Sequence, residues 1–191
     1  MGLGAALLTS TPVGPRPVGS LERTLEGGML SGVAAAAAMA LVTMVAAVTV
    51  LDLGLYTPLY QVAAIVEPGP LLESIQEAEA GFRFYLELGA AVAGGAVHLG
   101  IGAGFGALFA LLARALRLRG LVALAVGAGY GLAVMALMGL VLLPSGAGQT
   151  AGGELVADAP RLFGLPVAIV AHLVYGLILG LWAFRGAERT P

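Results

Sequence analysis

The sequence predicts an all-α integral membrane protein: four transmembrane helices forming two duplicated hairpins, plus an amphipathic, interfacial segment in the first outer loop. Three observations predict this. The 191 residues are 59% hydrophobic and 10% charged, with a mean hydropathy of +0.98. Soluble domains average about 45–50% apolar and about 25% charged, and a small soluble fold has too much exterior to hide such a composition. Charges also punctuate the chain, with none in 27–51, 88–113, 120–153 or 162–184. Each window exceeds the roughly 20 helical residues that cross a hydrocarbon core. Finally, the chain repeats itself. His98-Leu99-x-x-Gly102-x-x-x-Gly106 recurs as His172-Leu173-x-x-Gly176-x-x-x-Gly180, at an offset of 74, and these are its 2 histidines.

The same composition excludes an ordinary globular domain, a disordered chain and a nucleic-acid binder. Cysteine is absent, which removes disulfides, iron–sulfur ligation and thiolate metal sites. Glycine numbers 30 without a Gly-X-Y period, so collagen is excluded; in a bilayer, small residues let helices approach closely. Period-2 alternation is missing, which leaves helices as the spanning form.

Residues 1–27 read as a cytoplasmic tail, with Pro12, Pro15 and Pro17 arguing for an irregular course there. Residues 1–15 lack the early positive charge and long apolar run of a cleaved signal. The first hairpin occupies 28–113, with spans at about 29–51 and 87–113 and a long outer loop at about 52–86. Within that loop, Leu53 to Val66 is apolar but too short to span. It reads as interfacial or re-entrant, with Tyr56 and Tyr60 at headgroup level. Pro70 opens an amphipathic helix in which Leu71, Leu72, Ile75, Phe82 and Tyr85 alternate with Glu73, Glu77 and Glu79. An Arg-rich link, 114–119, leads to the second hairpin at 120–185. Its spans lie at about 120–143 and 163–184, joined by a loose Gly/Ser-rich loop, 144–161. Pro144 ends the third span, and Pro160 and Pro166 shape the entry to the fourth. A short cytoplasmic tail, 186–191, follows.

Arginine orients the spans. Arg16, Arg23, Arg114, Arg117, Arg119, Arg185 and Arg189 share one side, and only Arg83 and Arg161 lie on the other. By the positive-inside rule both termini and the link are cytoplasmic in a multi-pass protein of the bacterial inner membrane. The link meets anionic lipid headgroups.

The repeat extends upstream by residue size. Ala90, Gly94, His98, Gly102 and Gly106 correspond to Gly164, Ala168, His172, Gly176 and Gly180, each series spaced i, i+4. Gly94, Gly102, Gly106, Ala168, Gly176 and Gly180 are therefore the expected helix-packing residues. Spans one and three match more weakly, through Met39-Ala40-Leu41 and Met135-Ala136-Leu137, at an offset of 96. Two-span units return the chain to the same side, so the copies form a parallel repeat about an axis along the membrane normal, which weakens an alternating-access reading.

His98, the run His172-Leu173-Val174-Tyr175 and the segment Thr57-Pro58-Leu59 resemble the YagU-like family of small bacterial inner-membrane proteins. The resemblance covers most of residues 28–185. It implies four spans with a His-bearing second span and little by way of mechanism.

A histidine at mid-membrane is a functional candidate by default. The structural reading is a neutral imidazole bonded to a backbone carbonyl, Tyr130, Tyr175 or Thr43. The sharper alternative makes His98 and His172 the axial ligands of a b-type haem, whose propionates would meet Arg83 and Arg161. A Cu(I) site could recruit Met39, Met44, Met135 or Met138, and a proton or solute path would depend on the histidines alone. Catalytic motifs are missing, and the rim carboxylates Asp52 and Glu87 read as solvated. The expectation is a non-catalytic membrane protein without a cofactor, packing against other membrane subunits or itself. Haem-binding electron transfer and a small channel or transporter are the alternatives.

Overall fold

The computed structural model describes residues 19–146, 152, 154 and 159–188. Among them every regular element is helical. In chain order these are α1 (Gly19–Thr49), α2 (Thr57–Ala63), α3 (Gly69–Glu79), α4 (Leu88–Ala115) and α5 (Gly120–Leu137). A π-helical segment (Met138–Leu142) follows, then α6 (Leu143–Gly146), α7 (Ala159–Phe163) and α8 (Leu165–Glu188). Four stretches are long and apolar enough to cross a membrane: Leu21–Thr49, Leu88–Ala115, Gly120–Ser145 and Leu165–Arg185. The architecture is that of an all-α integral membrane protein.

Helix ends follow local chemistry. Glu22 sits in the first turn of α1, where the helix dipole favours an acid. That helix begins at Gly19, so residues 19–27 of the expected tail are helical; the prolines at 12, 15 and 17 lie outside the described residues. Glu87 caps α4, its carboxylate accepting from the Gly89 amide at 3.1 Å and from the Ala90 amide. The link turns on two left-handed residues, Arg117 (φ 51°) and Gly120 (φ 56°). Arg114 donates to the Thr24 hydroxyl at 3.1 Å, which ties the link to the start of α1.

Pro144 does not end the third span. The helix continues to Gly146 through the π segment, where the Leu143 amide reaches back five residues to the Met138 carbonyl. A proline in an α-helix collides with the carbonyl four residues earlier. The wider π turn relieves that collision and lets the helix run on. After the loop, Gly164 (φ 72°) breaks α7 from α8. The loop was expected to be loose, and most of it lies outside the described residues. Within it, Gly152 is buried against the Ala64 carbonyl.

The long loop between α1 and α4 is a folded cap with its own core. Tyr60 is 0% exposed and packs with Ala63, Ala64, Leu71, Ala90 and Ala91. Tyr60 thus faces the interior of the cap and not its surface. Periodicity shows that Leu53 to Val66 is apolar, but not that α3 and the start of α4 fold over it. The Tyr60 hydroxyl donates to the Tyr85 carbonyl at 3.2 Å and accepts from the Glu87 amide at 2.8 Å. Thr57 and Ser74 share a buried hydroxyl bond of 2.7 Å. The α3 helix buries Pro70, Leu71, Ser74 and Ala78, but it ends at Glu79 before a left-handed Gly81 (φ 93°), so Phe82 and Tyr85 of the expected amphipathic helix lie beyond it, and Leu72 and Phe82 are exposed. Arg83 bridges to Asp52 at 2.7 Å and donates to the Val48 carbonyl at 2.7 Å, clamping the cap to the end of α1.

The spans pair as α1 with α4 and α5 with α8. Both pairs close over glycine. A Cβ on Gly106 would stand 2.6 Å from the Gly32 Cα, and one on Gly28 would stand 2.5 Å from the Ala110 Cβ. In the second pair a Cβ on Gly127 would stand 2.8 Å from the Gly180 Cα, and one on Gly180 would stand 2.6 Å from the Ala123 carbonyl. Gly28, Gly32 and Ala36 thus occupy against α4 the places that Ala123, Gly127 and Gly131 occupy against α8. Their offset is 95, one residue from the Met-Ala-Leu match, because backbone approach and not side-chain identity sets the register.

The hairpins meet unequally. The α1 and α8 helices pack along a broad face, whereas α4 and α5 touch only sparingly. Contacts across that second seam come from long side chains, with Tyr130 donating to the Phe105 carbonyl at 2.8 Å and stacking on Phe109 at 5.1 Å between ring centroids.

Candidate functional site

Where the hairpins diverge they leave a half-enclosed cavity of about 260 Å3. All four spans and the cap line it. Ala36, Met39 and Thr43 come from α1, Pro58 and Gln61 from α2, and His98, Gly102 and Phe105 from α4. Met138 and Gly139 come from the π segment, and Ala168, His172 and Tyr175 from α8. The walls are almost wholly apolar, and no charged side chain lines them.

The few polar groups follow one pattern. Nε2–H of His98 donates across to the Ala36 carbonyl of α1 at 3.1 Å. Nδ1–H of His172 donates to the Ala168 carbonyl of its own helix at 2.8 Å. The Tyr175 hydroxyl donates to the Gly102 carbonyl at 2.8 Å, and Thr43 donates to the Ala40 carbonyl at 2.9 Å. Helical carbonyls keep a second lone pair, so each accepts a side-chain donor without breaking its ladder. The histidines therefore bond carbonyls, and not Thr43, Tyr130 or Tyr175. They also differ from each other, one joining two helices and the other folding back on its own.

The expected packing residues divide. Gly102 and Gly106 form the α1 seam, Gly176 and Gly180 the α5 seam, and Gly94 lies against the Leu59 carbonyl of α2 in the cap. Ala168 lines the cavity, and its carbonyl accepts from His172. Sequence reasoning missed the opposing faces. Gly28 and Gly32, and Gly127 and Gly131, carry the same i, i+4 spacing and could have been found by it. It also missed Gln61, a buried polar residue on the wall, and the π segment, for which Pro144 was the available signal.

His98 and His172, the expected haem ligands, both line the cavity, with Nε2 of His98 bonded to the Ala36 carbonyl and Nδ1 of His172 to the Ala168 carbonyl. Met39, Met135 and Met138 line the cavity while Met44 does not. Among the described residues no cluster of three or more His, Cys, Asp or Glu is placed to hold a metal ion.

Compared with known protein-family models, curated proteins and solved structures, the chain matches none of them.

Proposed function

We propose that this chain is a non-catalytic, multi-pass membrane protein whose two hairpins enclose a binding chamber for a molecule dissolved in the bilayer. One observation carries the reading: the apolar cavity lined from all four spans, with both histidines on its wall. Binding sites are concave, mostly apolar and furnished with a few convergent polar groups. The packing of the hairpins accounts for a chamber there, since the two glycine-packed pairs meet broadly along α1 and α8 and only sparingly along α4 and α5. The YagU-like resemblance and the orientation with cytoplasmic termini belong to the same proposal.

The test is retention of a small molecule. The protein is extracted in native lipid discs and its bound small molecules are compared with those of Gly139→Leu. Gly139 lines the chamber and a Cβ there meets nothing within 4 Å, so a leucine is expected to take up chamber space. A lipid-soluble species enriched with the parent chain and lost in the variant is the expected outcome. Identical extracts would overturn the reading.

Assembly with another copy or a further membrane subunit is the second reading. Gly100 and Gly104, four residues apart on α4, have open space where a Cβ would stand. Gly104→Leu would then shift the oligomeric state measured by light scattering in detergent; an unchanged monomer would sink this reading.

A further inference from the structure

We infer that the chamber is selective for a lipid-soluble molecule bearing a hydroxyl group, an alcohol or phenol, which enters between α4 and α5. This deepens the binding reading and rests on it.

The selectivity follows from counting protons on the wall. A neutral imidazole has one N–H and one bare nitrogen. His98 and His172 lie among charge-free walls, where an imidazolium has no counter-ion. Each has given its N–H to a carbonyl, so His98 retains a bare Nδ1 and His172 a bare Nε2. Tyr175 and Thr43 have likewise given their hydroxyl protons to Gly102 and Ala40. These four groups retain lone pairs and no proton; Gln61, the fifth polar side chain on the wall, carries both an acceptor oxygen and amide N–H groups. The complement of the four is a donor. A hydroxyl supplies one in neutral form, whereas a quinone, ester or ether supplies none. A charged ammonium head would donate too, but it would enter apolar walls without a carboxylate to receive it.

The entry route follows from packing. The α1 and α8 helices close one side and the cap covers another through Pro58 and Gln61, while α4 and α5 touch only sparingly. A volume of about 260 Å3 holds a hydroxyl-bearing ring or the first carbons of a chain. Anything longer extends through the gap into the acyl region.

The experiment uses the full chain in phosphatidylcholine nanodiscs with two probes of nearly one shape, thymol and thymol methyl ether. Binding is measured by equilibrium dialysis against empty discs. Thymol is expected to bind about tenfold tighter than its ether, the worth of one buried hydrogen bond. His172→Phe should equalise the two probes, and Gly139→Leu should weaken both. The His172 bond stays within its own helix, so this variant carries the test even if His98→Phe fails to fold. Equal binding by the parent chain, or tighter binding of the ether, would overturn the hydroxyl assignment and leave the chamber standing. A thymol preference that survives both histidine substitutions would overturn it as well. Absence of saturable binding by either probe to folded protein would overturn the chamber itself.

Discussion

Single hydrogen bonds hold the two hairpins in register, and the cost of losing one can be stated. Tyr175→Phe removes the donor to the Gly102 carbonyl while keeping the ring. Bonds of this kind between membrane helices contribute roughly 0.6–2 kcal/mol. The variant should lose about that much stability in detergent unfolding; no loss would mean that the ring's packing alone holds α8 to α4. Tyr85 offers a pH-dependent test outside the spans. Its hydroxyl bonds the Glu73 carboxylate, and this raises its pKa from the usual 10.0 to about 12. A folded pKa above the unfolded one means that the folded chain keeps its proton where the unfolded chain has lost it. The contribution is thus complete below pH 10 and disappears as pH rises towards 12. Spectroscopic tyrosinate titrations of the parent chain and of Glu73→Gln should differ at Tyr85, which ionises near 12 in the parent and returns towards 10.0 in the variant.

At the scale of helices, glycine has two meanings in this chain, and the same substitution separates them. A Cβ on Gly176 would stand 2.9 Å from the Gly131 amide nitrogen and closer still to the Gly127 carbonyl. Gly176→Ala must therefore push α5 from α8, costing about 1–3 kcal/mol as overpacking does. A Cβ on Gly100 meets nothing within 4 Å. Gly100→Ala should be neutral, or stabilising by up to about 1 kcal/mol through helix propensity. Opposite signs from parallel unfolding curves are the expected result. Much of this was legible beforehand: the i, i+4 spacing of Gly102, Gly106, Gly176 and Gly180 marked smooth faces. The partner of each face was not legible, because a sequence shows that a helix side is flat and not which helix lies on it. The π segment was hidden for a related reason. Pro144 signals a disturbed ladder, and only the packed helix reveals whether the chain stops or widens.

For the whole molecule, the proposed orientation is directly measurable. The chain has no cysteine, so single introduced thiols report cleanly. Arg117→Cys in the link should be labelled by an impermeant maleimide only after the membrane is opened. Glu77→Cys in the cap should be labelled in intact cells. The reverse pattern would invert the topology. The cap also illustrates what whole-molecule context adds to a local reading. Tyr60 belongs to an apolar run that reads as interfacial, yet α3 folds back and encloses it completely. The cavity is a further whole-molecule property. Its wall draws on α1, α2, α4, the π segment and α8, and no local pattern joins residues so far apart in the chain.

The sequence by itself determined the helical membrane class, the number of spans, the small-residue faces and the coincidence of two histidines on matched positions. Those follow from composition and from periods that any helix must obey. Only the tertiary structure decided that the glycine faces close within the chain, that α4 and α5 stand apart, and that the histidines give their protons to different carbonyls. The physical reason is that backbone approach is governed by sterics across two helices at once. A pattern along one helix fixes which side is smooth; the neighbour that comes to rest on it fixes the seam, the gap and the hydrogen bonds between.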